Sequence, residues 1–253
     1  QLQSSAASDV YKRQVLEEIG LADAPESGVK AMTSVGAILG EDGRIRFPRE
    51  LVENTLSYAA RDFTLHSRSN KNSLLLEKNR VHYGTAGAAV HVVDLETNDY
   101  RDSTVSDLFA AAKLSDHLDN IHFLQRPMIC RDITDNFEMD LNTVFACCAG
   151  TSKHVGVSFT EASYVKPIME MVHILSGGKN SWFEKPFISN SNCFVVPPLK
   201  FATESCLVME ECIKSGMPIL LLSAGQAGAT APAPIAGAIV QAVAECLAGL
   251  VYV

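Results

Sequence analysis

The run Ser223-Ala224-Gly225-Gln226-Ala227-Gly228-Ala229-Thr230 carries the sharpest local chemistry in the chain. It follows the apolar stretch 219–222 and precedes a helical pattern that starts near Pro234. Gly225 and Gly228 permit backbone conformations and close approaches that a side chain would obstruct. Gln226 is then the polar group offered to a ligand, and Thr230 a hydroxyl near a helix start. The pattern reads as a ligand-lining loop, although an ordinary Gly-rich connection has the same composition. No Gly-Lys-Ser/Thr follows, so it is not a phosphate-binding P-loop, and the GxGxxG nucleotide fingerprint is absent from it.

A second candidate is Val81-His82-Tyr83-Gly84-Thr85-Ala86-Gly87. His82 could bind substrate or move a proton, and could equally be a structural donor before a turn built on Gly84 and Gly87. Asp116, His117, Asp119 and His122 lie close together, but their spacing matches no familiar zinc set, and no metal site is expected. No GxSxG frame surrounds any serine. No paired carboxylates suggest glycosidase chemistry. Phe159, Phe194 and Trp182, with Tyr83 upstream, could line a pocket for a quaternary ammonium group by cation–π attraction, or could simply be core. Lys153 and His154 sit on the N-terminal side of a strand, where packing is the expected role.

Positioning such residues requires a sizeable fold. The chain has 253 residues, 47% hydrophobic and 20% charged, with a formal net charge of -8. That composition supports a packed core. The acidic balance without a basic tract argues against a nucleic-acid surface. Seven cysteines without a CxxC argue against a disulfide framework, favour a reducing compartment and fit a cytoplasmic protein. No apolar run is expected to reach the roughly 20 residues that span a bilayer. Residues 1–14 read as a non-native or disordered leader outside the fold.

Residues 15–103 read as an α+β accessory section. It holds a helix remnant from Val15, a hairpin at 37–47, a helix opened by Pro48, and short strands at 63–66 and 73–76. Thr104 or Ser103 can cap a helix that runs to about His117. Beyond it, in residues 104–253, short apolar strands near 121–124, 155–159, 189–196, 218–223 and 250–253 alternate with helices near 140–149, 164–176, 203–215 and 234–248. The repeat of roughly 30 to 35 residues is one βα unit, which implies parallel strands joined by crossover helices. The expected fold is therefore α/β, a (β/α)8 TIM barrel truncated after about five barrel strands; a doubly wound sheet stays open. The apolar end 250–253 reads as an opening strand. In a barrel the chemistry lies at the C-terminal strand ends, which adds Gln125 and Glu161 to the candidates by position alone.

Taken together, residues 82–87, 95–108, 118–123, 151–157 and 223–249 resemble the trimethylamine methyltransferase family, and the ordered series extends from about Gly36 to Val253. The resemblance implies a (β/α)8 barrel that moves a methyl group from a methylated amine to the cobalt of a small corrinoid protein. The corrinoid is then carried by a partner, and no cofactor is held by this chain directly. Within the family one group has pyrrolysine and demethylates trimethylamine; another lacks it and includes glycine betaine demethylation. No pyrrolysine is written here, and the corresponding position is expected beyond Val253. By resemblance and strand-end position together, the site candidates are His82, Gly84, Gly87, Gly225, Gln226, Gly228 and Thr230; no catalytic residue is assigned.

A quaternary ammonium leaves as a neutral amine and needs no acid, which favours such substrates where no special residue activates trimethylamine. Two rival classes remain on the residues alone. One is another barrel enzyme of lyase or aldolase type, for which Lys200 is the lysine of interest. The other is a non-catalytic methylamine-binding protein. A homo-oligomer stays open.

Overall fold

The computed structural model describes residues 10–69 and 71–253. Most of the expected leader thus lies outside the described residues, and its last five, 10–14, are helical. They run into a π-helical turn at Val15–Ile19 that ends on Gly20 at φ 70°. The helices are α1 (Glu26–Ser34), α2 (Arg49–Tyr58), α3 (Val105–His117), α4 (Asn136–Gly150), α5 (Ala162–Leu175), α6 (Lys179–Glu184), α7 (Thr203–Lys214) and α8 (Ile235–Tyr252). The strands are β1 (Ile38–Leu39), β2 (Ile45–Arg46), β3 (Phe63–Leu65), β4 (Leu74–Leu76), β5 (His91–Val93), β6 (Tyr100–Asp102), β7 (Phe123–Gln125), β8 (His154–Val157), β9 (Ile188–Asn192), β10 (Val195–Val196), β11 (Lys200–Phe201) and β12 (Ile219–Leu221).

Strands β7, β8, β9 and β12 form one sheet in the order β12-β9-β8-β7. β7–β8 and β8–β9 are parallel, with Gln125 opposite Gly156 and Val157 opposite Asn190. The Asn190 amide donates to the Pro218 carbonyl and the Leu222 amide to the Asn192 carbonyl, which continues the same direction into β12. Each strand lies beside its predecessor, without the reversal of order that marks a doubly wound sheet. The mixed α/β class expected from the repeat is therefore present, and a barrel is compatible with this winding.

Two details differ from the sequence reading. The segment 189–196 is not one strand: β10 leaves the parallel sheet and pairs antiparallel with β11 across the Pro197-Pro198-Leu199 turn. The apolar end 250–253 is no strand; all of it but Val253 is the last turn of α8. Among the described residues four parallel strands are present where five were expected. A four-residue apolar run has no period of its own, and the buried Gln241, Ala244, Glu245, Ala248 and Val251 extend a helical stripe through it.

Contact density divides the chain into two compact units. The first holds residues up to Ala59, Asn192–Glu210 and Leu220–Val253; the second holds Ala60–Ser191 and Glu211–Ile219. In the first, the N-terminal elements bury Leu16, Leu21, Ile45 and Phe47, and α8 buries Ala244, Ala248 and Tyr252. The Tyr252 hydroxyl donates to Glu210 at 2.8 Å. α8 is long and apolar enough, by length and composition, to cross a membrane, contrary to the expected lack of such a run. Its inward face holds hydrogen-bonded Gln241 and Glu245, which makes it a core helix of this unit.

In the second unit, Thr104 caps α3 in a reciprocal box. Its hydroxyl accepts from the Asp107 amide, and the Asp107 carboxylate accepts from the Thr104 amide. Ser103 is fully buried instead, donating to the Ile129 carbonyl at 2.6 Å. α3 and α4 meet so closely at Gly150 that a Cβ there would stand 2.5 Å from that of Ala112.

Candidate functional site

The Gly-rich loop leaves β12 and is closed by its own backbone. The Gln226 carbonyl accepts from the amides of Ala229, Thr230 and Ala231 at 2.9–3.0 Å. The Gln226 amide donates to the Thr230 hydroxyl at 2.9 Å. Gly228 adopts φ +81°, a left-handed conformation that costs any L side chain, although the space around it is open. Gly225 is needed for a close approach: a Cβ there would meet that of Ala231 at 3.2 Å and the Gln241 amide nitrogen at 3.4 Å. With the backbone spent on the turn, the Gln226 side chain is left exposed. Gly225, Gln226, Gly228 and Thr230 are thus one structure.

Beneath that loop lies a group that the sequence reading did not single out. Glu245 on α8 is completely buried. Its Oε1 accepts from the Leu199 amide at 2.9 Å and from Gln241 Nε2 at 3.1 Å. Its Oε2 accepts from the Ser223 hydroxyl. Gln241 Nε2 also donates to the Thr230 carbonyl at 2.9 Å. The available signal was a pair of polar residues four apart in an otherwise apolar helix, which a helix places on one face. Beside this network a mostly apolar, half-open cavity of about 660 Å³ is lined by Val15, Ile19, Leu199, Pro232, Pro234 and Gln241, among others. Phe194, expected near a pocket, is fully buried at the other end of α8, its ring against Gly249 and 6.3 Å from that of Phe201. It is core.

In the second unit, Gln125 closes β7 and its Oε1 accepts from the Ser191 hydroxyl at 2.7 Å. The Gln125 side chain lies over Gly156, where a Cβ would collide with it. The neighbouring Thr85 hydroxyl donates to the Gln125 carbonyl, so the segment after Gly84 lies along β7. Gly84 itself bridges Phe123, whose ring occupies the space a Cβ would need. Gly87 stands at φ +130° with Pro127 O 3.3 Å from any Cβ. Residues 80–83 lie outside any strand. His82 directs Nε2 at the Leu75 carbonyl, 3.1 Å away, and packs edge-on against His122; both are structural contacts.

After β8, the Thr160 amide and hydroxyl both donate to Asp140 Oδ2 at 2.7 Å. Burial raises the Asp140 carboxyl above its ordinary range, against the pull of those two bonds. Phe159 is half-buried beside it, and exposed Glu161 stands at the N-cap of α5 without capping it, accepting instead from the Tyr164 hydroxyl at 3.0 Å.

The remaining polar candidates are structural. Asp116 accepts from the Ser152 amide and from the hydroxyls of Thr151 and Ser152. Buried Lys153 donates from Nζ to the carbonyls of Ser115, Leu118 and Ile121 at 2.6–2.9 Å, closing the C-terminal end of α3. His154 opens β8, on the N-terminal side as expected. Its ring faces the His66 carbonyl and the Ser189 hydroxyl, and burial lowers its pKa to about 4. Lys200 is half-exposed and paired with Asp23 at 3.2 Å, not the desolvated lysine of a Schiff-base enzyme. Trp182 is buried with Nε1 donating to the Ser215 carbonyl. All seven cysteines are free; burial pushes Cys148, Cys206 and Cys212 up to about 12, far from thiolate chemistry. Among the described residues no group of three or more His, Cys, Asp or Glu could hold a metal ion.

A singly wound parallel α/β sheet, a Gly-rich loop at the C-terminal end of a strand and polar side chains that are bonded instead of activated together define a class. It is a mixed α/β protein built on a parallel sheet. The family model for trimethylamine methyltransferase matches residues 4–253, and the chain belongs to that family. It is 27% identical to the trimethylamine methyltransferase of Desulfitobacterium hafniense strain DCB-2 over 239 residues, which is 94% of this chain and 48% of that protein. It is 29% identical to a trimethylamine methyltransferase of Methanosarcina mazei, over 81% of this chain and 42% of that one. To the glycine betaine methyltransferase of Desulfitobacterium hafniense strain Y51 it is 28% identical, over 93% of this chain and 49% of that protein. The chain spans about half the length of the curated relatives it matches.

Proposed function

We propose that this chain is part of a methyltransferase that moves a methyl group from a methylated amine, glycine betaine as the leading substrate, to the cobalt of a cognate corrinoid protein. The parallel strands then belong to a (β/α)8 barrel whose mouth includes the 223–230 loop. The observation that carries the reading is the family match over nearly the whole chain. Identities of 27% and 28% to trimethylamine and glycine betaine enzymes do not choose a substrate, so chemistry must.

In the transfer the C–N bond breaks with its electron pair remaining on nitrogen, while a reduced cobalt supplies the pair for the new bond to carbon. A quaternary ammonium departs as a neutral amine and requires no proton. The site's task is to align the methyl carbon with the acceptor and to exclude water. The exposed Gln226 amide on a self-closed loop suits orientation, and the bonded states of His82, Lys153 and Lys200 fit a reaction without acid–base transfer. Glycine betaine is zwitterionic, and an amide such as that of Gln226 can donate to its carboxylate.

The test uses the enzyme as its complete gene encodes it. Conversion of cob(I)alamin to methylcobalamin is followed spectroscopically with glycine betaine, carnitine, choline and trimethylamine in parallel. Glycine betaine is expected to turn over without nucleotide, added metal or S-adenosylmethionine, and Gln226→Ala to impair turnover with the fold intact. Turnover of trimethylamine alone would overturn the substrate; no transfer from any amine would overturn the activity.

A further inference from the structure

We infer that Glu245 is a positioning residue: its buried carboxylate fixes the two ends of the 223–230 loop, and through them the place at which Gln226 meets the substrate. The inference rests on the reading of that loop as part of the methyl-transfer site.

The connections are specific. Ser223, the first residue of the loop, donates its hydroxyl to Glu245 Oε2. The last, Thr230, is held through its carbonyl by Gln241 Nε2 at 2.9 Å, and the same nitrogen donates to Glu245 Oε1 at 3.1 Å. The Leu199 amide adds a third donor from the β10–β11 turn, at 2.9 Å. One carboxylate thus gathers the start of the loop, its end by way of Gln241, and the adjoining turn. Between the anchored ends, the bonds to the Gln226 carbonyl leave the loop little freedom of its own. Position is therefore decided at the anchors.

Charge burial points the same way. Taking a carboxylate out of water is costly, and a well-packed apolar residue is often neutral or better for stability. An apolar residue would continue the stripe on α8, which already buries Ala244, Leu247 and Ala248. What a leucine could not supply is two oxygens that dictate where three donors stand.

The experiment measures kcat and KM for glycine betaine in the complete enzyme, alongside hydrogen exchange across 223–230. Glu245→Ala is expected to lower kcat by roughly 100-fold, the scale of an ångström of misplacement, with faster exchange in the loop. Glu245→Gln keeps one oxygen for Leu199 and Gln241, and Ser223 can turn to accept from the new amide, so most activity and protection should return. The double variant with Gln226→Ala should be no slower than Gln226→Ala alone. Ser223→Ala, which removes one anchor and leaves the core filled, takes the place of Glu245→Ala if that variant fails to fold. A variant that melts earlier yet turns over at the wild-type kcat, while Gln226→Ala is impaired, would overturn the positioning role and leave the loop as the site. Full activity of Gln226→Ala would overturn the loop as the site and the inference with it.

Discussion

Gln241 stands one helical turn before Glu245 on α8, and its Nε2 lies 3.1 Å from the Glu245 carboxylate while also holding the Thr230 carbonyl at 2.9 Å. Both side chains are buried, so the Glu245 carboxylate cannot turn to water for a replacement donor. Gln241→Leu keeps the bulk and removes the donor. We expect a loss of about 2 kcal/mol, the cost of depriving a buried acceptor of a donor, read as a lower urea midpoint. An unchanged midpoint would mean that this bond contributes nothing to stability.

Lys153 closes α3 from outside the helix, with its ammonium on three backbone carbonyls. Lys153→Met should cost about 3 kcal/mol, because three carbonyls lose one buried charged donor at once. Lys153→Arg should recover little, since a planar guanidinium cannot point three donors at carbonyls grouped around a single ammonium. Equal stability of wild type and Lys153→Met in thermal unfolding would refute this account.

His154 gives the fold an acid-sensitive term. Its folded pKa is near 4 against an ordinary 6.5, with burial as the cause. Between those values the unfolded chain binds the proton and the folded chain does not. Stability from this residue is therefore complete above about pH 6.5 and declines as pH falls towards 4. Urea midpoints measured across that window should fall more steeply for wild type than for His154→Gln. Parallel curves would rule the contribution out.

Gly249 lies inside α8, where alanine is the better helix former by about 1 kcal/mol. A Cβ at this position would stand 2.4 Å from Phe194 Cζ, and Phe194 is fully buried. Gly249→Ala should therefore destabilise, by about 2 kcal/mol of overpacking. Gly228→Ala is a different experiment: no atom obstructs the methyl, and only φ +81° resists it, for a loss of about 1 kcal/mol. Comparable losses in the two variants by thermal unfolding would contradict the difference in mechanism.

Local signals were legible along the chain wherever a short stretch sets its own conformation. The Thr104–Asp107 box, the hairpin at 38–46 and the Gly turn at Gly228 each need only neighbouring residues, and each is formed. The regular spacing of strands and helices gave the α/β class because the crossover length is itself local. The end of α8 was misread because four apolar residues fit a strand as well as a helix, and the stripe from Gln241 to Val251 decides only when it is packed. The partners of Glu245 stand 4, 22 and 46 residues away in sequence. Phe194 and Gly249 are equally remote, yet the space at one exists for the ring of the other. The sequence by itself determined most of the elements and the loop that carries Gln226. The anchors of that loop, and the burial that makes them matter, arise only when distant segments exclude water together.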